Sequence, residues 1–118
     1  MPTMPYSRGD VVLVLYPDSN LRTAKRRPAL VVQADDLQTG LPQTIVAMIT
    51  SNMSRAGHPR RVAVARSSPE GQQMAIRSDS VIMTDNLATA LVSEIDRPIG
   101  HLADSQRVDA ALRCTFGL

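Results

Sequence analysis

The sequence predicts a small α+β domain, in which short antiparallel strands form a strongly curved sheet or partial barrel and one helix follows. Three observations support this prediction. Apolar runs of strand length recur between polar turns, only the last stretch of the chain has helical spacing, and 118 residues suffice for one ordinary domain but not two. We therefore expect residues 1–118 to form one domain.

Five or six short strands are expected, because Val- and Ile-rich runs alternate with Gly, Pro, Asn and Asp. The clearest runs are residues 9–16, 29–33, 44–50, 62–66 and 80–84. Residues 20–27 contain several cations and no apolar periodicity, so they are predicted to be an exposed loop. Asp85 and Asn86 are predicted to form the turn after the last strand.

The C-terminal segment changes to helical periodicity. Four apolar residues fall on one helical face: Val108, Ala111, Leu112 and Phe116. Asp104 is the predicted N-cap, and Gly117 lies where the helix should end. This terminal helix is expected to cover one side of the sheet.

Composition limits the cellular location and the cofactors. Cys114 is the only cysteine, so no intramolecular disulfide can form and nothing indicates an oxidising compartment. No apolar stretch approaches the roughly 20 residues needed to cross a bilayer. With only His58 and His101 beside that cysteine, the chain lacks the ligand cluster of a zinc site. We expect a cytoplasmic protein without metal, other cofactor or membrane association.

The first candidate site is the cationic cluster Lys25-Arg26-Arg27, which stands directly before Pro28 and a buried strand. Proline restricts the residue before it to an extended conformation. An arginine held in this way can donate several hydrogen bonds to a phosphate and stabilise charge on a pentacoordinate phosphorus. The alternative interpretation is a solvated charged loop that contributes only solubility.

The second candidate is the sequence Thr50-Ser51-Asn52 at the end of an apolar strand. Two hydroxyls and an amide emerge together from the core, and these groups can hydrogen-bond a phosphate or a nucleotide. The alternative is a turn in which the Ser and Asn side chains satisfy neighbouring backbone groups. Only the combination with the cationic cluster favours a binding site.

A second basic loop follows this strand and contains Arg55, His58, Arg60 and Arg61. It can extend an electropositive groove along a nucleic-acid backbone, and its histidine can exchange protons near neutral pH, or the loop is simply exposed. Tyr16 is the best-placed aromatic for stacking on a base. Asp85 is a candidate to orient Arg27 or to accept a proton, with a plain turn as the equal alternative. A Walker-type phosphate loop, a two-histidine ribonuclease site and a Ser-His-Asp triad have no support.

The order of these motifs resembles the MazF/PemK family of toxins. The matching segments are RGDVVLV from Arg8, KRRPALVV from Lys25, IVAMITS from Ile45, DSV from Asp79, IGHL from Ile99 and VDAAL from Val108. The resemblance covers nearly the whole chain. Each motif is moderately specific, and their common order and spacing make the resemblance strong.

The resemblance implies an SH3-like curved sheet or partial barrel of the CcdB/PemK type, a homodimer, and a cognate antitoxin that blocks the RNA groove. It implies metal-independent, sequence-preferring cleavage of single-stranded RNA, in which the 2′-hydroxyl attacks the adjacent phosphate. Arg27 and Thr50 match the family's usual catalytic pair. Lys25, Arg26, Ser51, Asn52, Arg55, His58, Tyr16 and Asp85 are the expected substrate-binding residues.

Two departures from the family leave alternatives open. Some members carry arginines where this chain has Met83 and Ala88, near Asp85, and some carry a histidine between the first two strands. The general base is therefore unassigned, with Asp85 and His58 as candidates. Two other hypotheses are a toxin of the same fold that inhibits DNA gyrase by binding, and a degenerate relative that binds RNA without cleaving it. The RNA sequence that would be cut is not predictable.

Overall fold

The computed structural model describes residues 5–118 except 18, 19, 36 and 38, and it describes residues 16 and 17 by their backbone only. Its centre is a six-stranded antiparallel sheet with the strand order β4-β5-β3-β2-β1-β6. The elements in chain order are β1 Asp10–Pro17, β2 Ala24–Val31, β3 Gln43–Thr50, β4 Arg61–Val64, α1 Pro69–Met74, β5 Ser80–Leu91, β6 Ile95–His101 and α2 Gln106–Phe116. The predicted α+β class, with antiparallel strands and a C-terminal helix, is confirmed.

The predicted loop over residues 20–27 is wrong in its second half, because β2 already begins at Ala24. There the chain pairs along β1, with Lys25 opposite Tyr16 and Arg27 opposite Val14. Backbone pairing with a neighbouring strand needs no apolar side chains on the outer face. A prediction based on apolar periodicity therefore missed this part of the strand, because its residues are mostly charged.

The predicted turn at Asp85 and Asn86 is also wrong, because β5 continues through it as one long strand to Leu91. The pairing with β3 jumps from Met83 opposite Met48 to Leu87 opposite Ala47, so the intervening residues form a bulge. Bulges commonly lie beside functional surfaces, where they redirect side chains. This bulge holds Asp85 out of the regular ladder.

Two elements were not predicted, α1 and β6, and they pack against each other. β6 pairs with β1, where His101 Nδ1 lies 2.8 Å from Asp10 Oδ1. The contact with α1 depends on Gly100, because a Cβ atom there would lie 2.5 Å from the carbonyl oxygen of Met74. Ala75 then ends α1 in the left-handed conformation, with φ of 58°, and redirects the chain.

Two apolar clusters form the core, one on each face of the sheet, as the alternation of Val11 and Val12 between them shows. The helix α2 covers the face that contains Val11, to which it contributes Val108 and Ala111. Arg8 attaches this helix to the sheet, since its Nη2 lies 2.7 Å from Asp109 Oδ1 and its Nε donates to the Val32 carbonyl at 3.0 Å.

The C-terminal end of α2 was predicted correctly, but its N-cap was not. Gly117 ends the helix in the left-handed conformation, as predicted. The N-cap is Ser105 rather than Asp104, although the Asp104 carboxylate accepts a hydrogen bond from the Gln106 N–H at 3.0 Å. Phe116 is exposed and does not join the buried face. No helix among the described residues is long and apolar enough to span a bilayer.

We expect Gly100→Ala to lower the free energy of unfolding by about 1–3 kcal/mol, since the added methyl group meets the backbone of α1. Chemical denaturation measures this change. Gly100→Val should cost more, whereas Ala103→Ser, which also adds one heavy atom but at an exposed position, should stay within about 0.5 kcal/mol of the parent. An unchanged midpoint for both Gly100 variants would contradict the close contact.

Candidate functional site

The candidate site is a cleft that opens where β2 and β3 stop pairing. The two strands pair only at three positions, of which Ala29 opposite Met48 is the last toward the start of β2. Pro28 comes directly before Ala29 in the chain, and it has no N–H group with which to extend this pairing. Beyond this point the two strands are no longer paired, and Arg27 and Thr50 are the second residues past the last pair on their strands.

The cleft has a volume of about 640 Å³ and is lined by residues of three kinds. The basic residues are Arg26, Arg27, Arg77 and Arg97. The hydroxyl residues are Thr50, Ser51, Ser78 and Ser80. The apolar residues are Leu13, Pro28, Ile49, Ala75, Ile76 and Ile99. No acidic residue belongs to this lining within the described part of the chain, so the cleft suits an anion.

The Thr50 hydroxyl is oriented by the backbone that follows the strand. Its Oγ1 accepts a hydrogen bond from the Asn52 N–H at 3.1 Å. An oxygen that accepts from the backbone in this way can still donate its own proton to a ligand. Thr50 is half-buried and Ser51 is exposed, so both are placed at the cleft wall with access to solvent.

Arg26 and Arg27 line the cleft from β2, beside the end of β3. Arg27 is half-buried, and its backbone is held by pairing with Val14 in β1. Arg26 is exposed. Lys25 is exposed as well but does not line the cleft. The backbone of Tyr16 pairs with Lys25, whereas its side chain, for which base stacking was expected, lies outside the described residues.

Asp85 lies outside the cleft lining and binds Arg61 rather than Arg27. The Arg61 Nε and Nη2 atoms donate to the Asp85 carboxylate at 3.0 to 3.3 Å, and the two side chains are 21% and 26% exposed. The hydrogen bond from Arg61 holds the pKa of Asp85 below its usual value against the opposing effect of burial. A carboxylate held in this way is a weak proton acceptor.

The second basic loop is held to the sheet by the same arginine. Arg61 Nη1 donates to the Arg55 carbonyl at 3.1 Å, and the Thr84 hydroxyl donates to the Arg60 carbonyl. His58 Nδ1 accepts from the Arg60 N–H at 3.2 Å, which stabilises the loop. None of Arg55, Arg60 and His58 lines the cleft.

Asn52 has a structural role at the start of the loop. Its side-chain oxygen accepts hydrogen bonds from the Ser54 N–H at 3.1 Å and from the Ser54 hydroxyl at 2.7 Å. It thereby caps the 3₁₀ turn Met53–Arg55. For Asn52 the structure therefore agrees with the alternative interpretation from the sequence, a turn in which the side chain satisfies neighbouring backbone groups.

Arg77 and Arg97 were missed by the sequence reasoning. Arg77 lies between α1 and β5, and Arg97 lies in β6, so both belong to the segments whose structure was not predicted. An arginine three residues before a predicted strand was a weak signal for the first. For the second, no signal was visible without the contact between α1 and β6.

Fold and cleft together define a small α+β protein with a basic cleft suited to a phosphate-bearing ligand. The chain matches the family described as the PemK-like, MazF-like toxin of type II toxin-antitoxin system over residues 7–116, and it belongs to that family.

Two named relatives agree with this membership, and a solved structure has the same fold. The chain is 30% identical to "Endoribonuclease EndoA" of Bacillus subtilis (strain 168), over 98% of this chain and 97% of the relative. It is 31% identical to "Endoribonuclease MazF6" of Mycobacterium tuberculosis (strain ATCC 25618 / H37Rv), over 98% and 100%. A structure titled "Endoribonuclease in complex with its cognate antitoxin from Mycobacterial species" matches with a TM-score of 0.71 at 21% identity, over 96% of each chain.

We expect Asp85→Asn to lower the free energy of unfolding by about 0.5–1 kcal/mol at neutral pH, since a partly exposed ion pair is weakened by solvent. The folded-state pKa of Asp85 is lowered, so its stabilisation is present above the unfolded pKa of about 3.9 and is lost as pH falls through the lower folded value. Urea denaturation between pH 7 and pH 3 measures the effect.

The control for this pair is a double-mutant cycle with Arg61→Gln. The double variant should lose less than the sum of the single losses, because both substitutions remove one interaction. A difference between parent and Asp85→Asn that does not shrink in acid would contradict the assignment.

Proposed function

We propose that the chain is the toxin of a type II toxin-antitoxin system and an endoribonuclease that cleaves single-stranded RNA without a metal ion. The observation that carries this proposal is that Arg27 and Thr50 line one cleft, just beyond the point where β2 and β3 stop pairing. The relatives whose names identify them as endoribonucleases support the same activity. Residues 1–118 form one toxin domain in this proposal.

In the proposed reaction the RNA's own 2′-hydroxyl is the nucleophile. The 2′-oxygen loses its proton and attacks the adjacent phosphorus, the bond from phosphorus to the 5′-oxygen breaks, and the leaving oxygen takes up a proton. The products are a 2′,3′-cyclic phosphate and a 5′-hydroxyl. No water is consumed in this transesterification.

Arg27 stabilises the additional negative charge on the phosphorane and donates a hydrogen bond toward the leaving oxygen. A guanidinium in a partly shielded cleft is suited to this, because preorganised donors are stronger there than in water. Thr50 donates from its hydroxyl to a phosphate oxygen, while the Asn52 N–H holds its Oγ1 in place. Neither Asp85 nor His58 is assigned as the base, since both lie outside the cleft lining.

The partners follow from the family and from charge. A structure in the comparison contains an endoribonuclease with its cognate antitoxin, and we propose such a partner for this chain. A short acidic segment suits a cleft lined by four arginines. We propose a homodimer in the cytoplasm, where both messenger RNA and an antitoxin are present. No three His, Cys, Asp or Glu side chains converge among the described residues.

We expect Arg27→Ala to reduce kcat on single-stranded RNA about 10²–10³-fold, the loss typical of a donor to a developing charge. Thr50→Ala should reduce it less, about tenfold, because a neutral donor is lost. The assay is cleavage of a mixed-sequence RNA in excess chelator, with the ends of the products identified. Cyclic phosphate and 5′-hydroxyl ends are the expected result.

Arg113→Ala is the matched control, since Arg113 is exposed on α2 and does not line the cleft. It should cleave RNA like the parent. Absence of chelator-resistant cuts in the parent overturns the nuclease proposal. In that case gyrase inhibition would support a binding toxin, and RNA binding alone would support a degenerate relative.

A further inference from the structure

The cleft carries more positive charge than one reacting phosphate needs. Four arginines line it, and no acidic residue does so among the residues that the structure describes. A single phosphodiester carries one negative charge. The volume of about 640 Å³ also lies in the range of about 300–1,000 Å³ typical of pockets for whole small molecules. The cleft therefore has room and charge for more than one phosphate group.

The arginines lie on two walls with different structural origins. The first wall consists of β2 and the end of β3, and it contains Arg26, Arg27 and Thr50. The second wall consists of the segment after α1 and of β6, and it contains Arg77 and Arg97. The second wall is not needed for the reaction assigned to the first.

The second wall is held in place by the contact of α1 with β6. Gly100 lets the Met74 carbonyl approach β6, and the left-handed Ala75 then turns the chain toward the cleft. Arg77 follows two residues later, and Arg97 precedes Gly100 by three. A backbone approach that tolerates no Cβ atom thus joins the two segments from which Arg77 and Arg97 line the cleft.

The side chains of Arg77 and Arg97 are available to bind a phosphate. Within the described part of the chain, Arg77 makes no ion pair or side-chain hydrogen bond. Arg97 Nη1 lies 2.5 Å from Asp96 Oδ2, but this pair joins sequence neighbours and the arginine side chain is 63% exposed. An exposed pair of this kind contributes little stability, so a phosphate can compete for the guanidinium.

We propose that Arg77 and Arg97 form a second phosphate subsite, which binds the RNA phosphodiester next to the scissile one and so sets the register of the strand. This inference rests on the proposed function, because the scissile phosphate is the one assigned to Arg27 and Thr50. The subsite binds substrate and takes no part in bond cleavage. Its arginines are substrate-binding residues outside the reacting centre.

The test uses a single-stranded RNA whose 2′-hydroxyls are methylated, so that it binds but cannot be cut. Linkages are replaced one at a time by uncharged methylphosphonate, and binding is measured for the full-length parent and the variant Arg77→Gln/Arg97→Gln. For the parent, one neutral linkage beside the scissile position should weaken binding about tenfold. The double variant should show less than a twofold effect at the same linkage.

Salt dependence gives a second measurement. The slope of log K against log salt should fall by about 0.7 for each phosphate contact removed, so by about 0.7 in the double variant, which loses the contact with one phosphodiester. Arg113→Gln should leave the slope unchanged. Arg77→Lys/Arg97→Lys, which keeps the charge, should keep the slope and provides a folded variant if glutamine impairs folding.

The outcomes separate this inference from the proposed function. If the parent cleaves RNA but no neutral linkage couples to the two arginines, the second subsite is overturned and the nuclease stands. If the parent does not cleave but the coupling is found, the nuclease is overturned and the two arginines stand as a phosphate-binding site of a protein that only binds RNA. Equal slopes for parent and glutamine variant would overturn the subsite regardless of cleavage.

Discussion

The cleft depends on a change in strand pairing within β2. Over residues 29–31 this strand lies between β1 and β3, whereas over residues 24–28 it pairs with β1 alone. Pro28 stands at this change, and it cannot donate a hydrogen bond across a sheet. Arg27 is consequently held by a full strand pairing on one side and faces an open space on the other. A fixed backbone beside an open space is the geometry that a preorganised phosphate donor requires.

Sequence patterns predicted the elements whose stability comes from their own apolar faces. β1, β3 and α2 were predicted, because their Val, Ile and Leu residues repeat with the period of a strand or a helix. The start of β2 was misread as a loop, because its residues are mostly cations rather than apolar residues and only the pairing of its backbone with β1 makes it a strand. The bulge at Asp85 was misread as a turn for a related reason. Polar residues interrupt strand pairing in a turn and in a bulge alike, and only the pairing of β5 with β3 on both sides of Asp85 identifies the bulge.

The candidate site divides along the same line. That Arg27 and Thr50 lie at one cleft was predictable, because Arg27 precedes the apolar part of β2, Thr50 ends β3, and consecutive strands usually pair. Arg77 and Arg97 lie about twenty residues apart; Arg97 reaches the cleft because β6 pairs with β1, and Arg77 reaches it because α1 packs against β6 at Gly100. No local pattern encodes that contact, since a glycine in a strand can equally mark a bulge or a tight bend. Tertiary packing therefore supplied half of the cationic lining.

The two walls make different demands on the fold. The first wall belongs to the sheet, so its arginine and threonine are held by a cooperative ladder and by the Asn52 N–H. The second combines β6, which pairs with β1, with the segment that follows the short helix α1, so the position of Arg77 depends on the close contact at Gly100. Four guanidiniums line the cleft, one of them paired with Asp96, and this excess of positive charge favours a bound polyanion. RNA and an acidic antitoxin segment, the two ligands proposed for this chain, would be attracted by the same charge and would therefore compete for one surface.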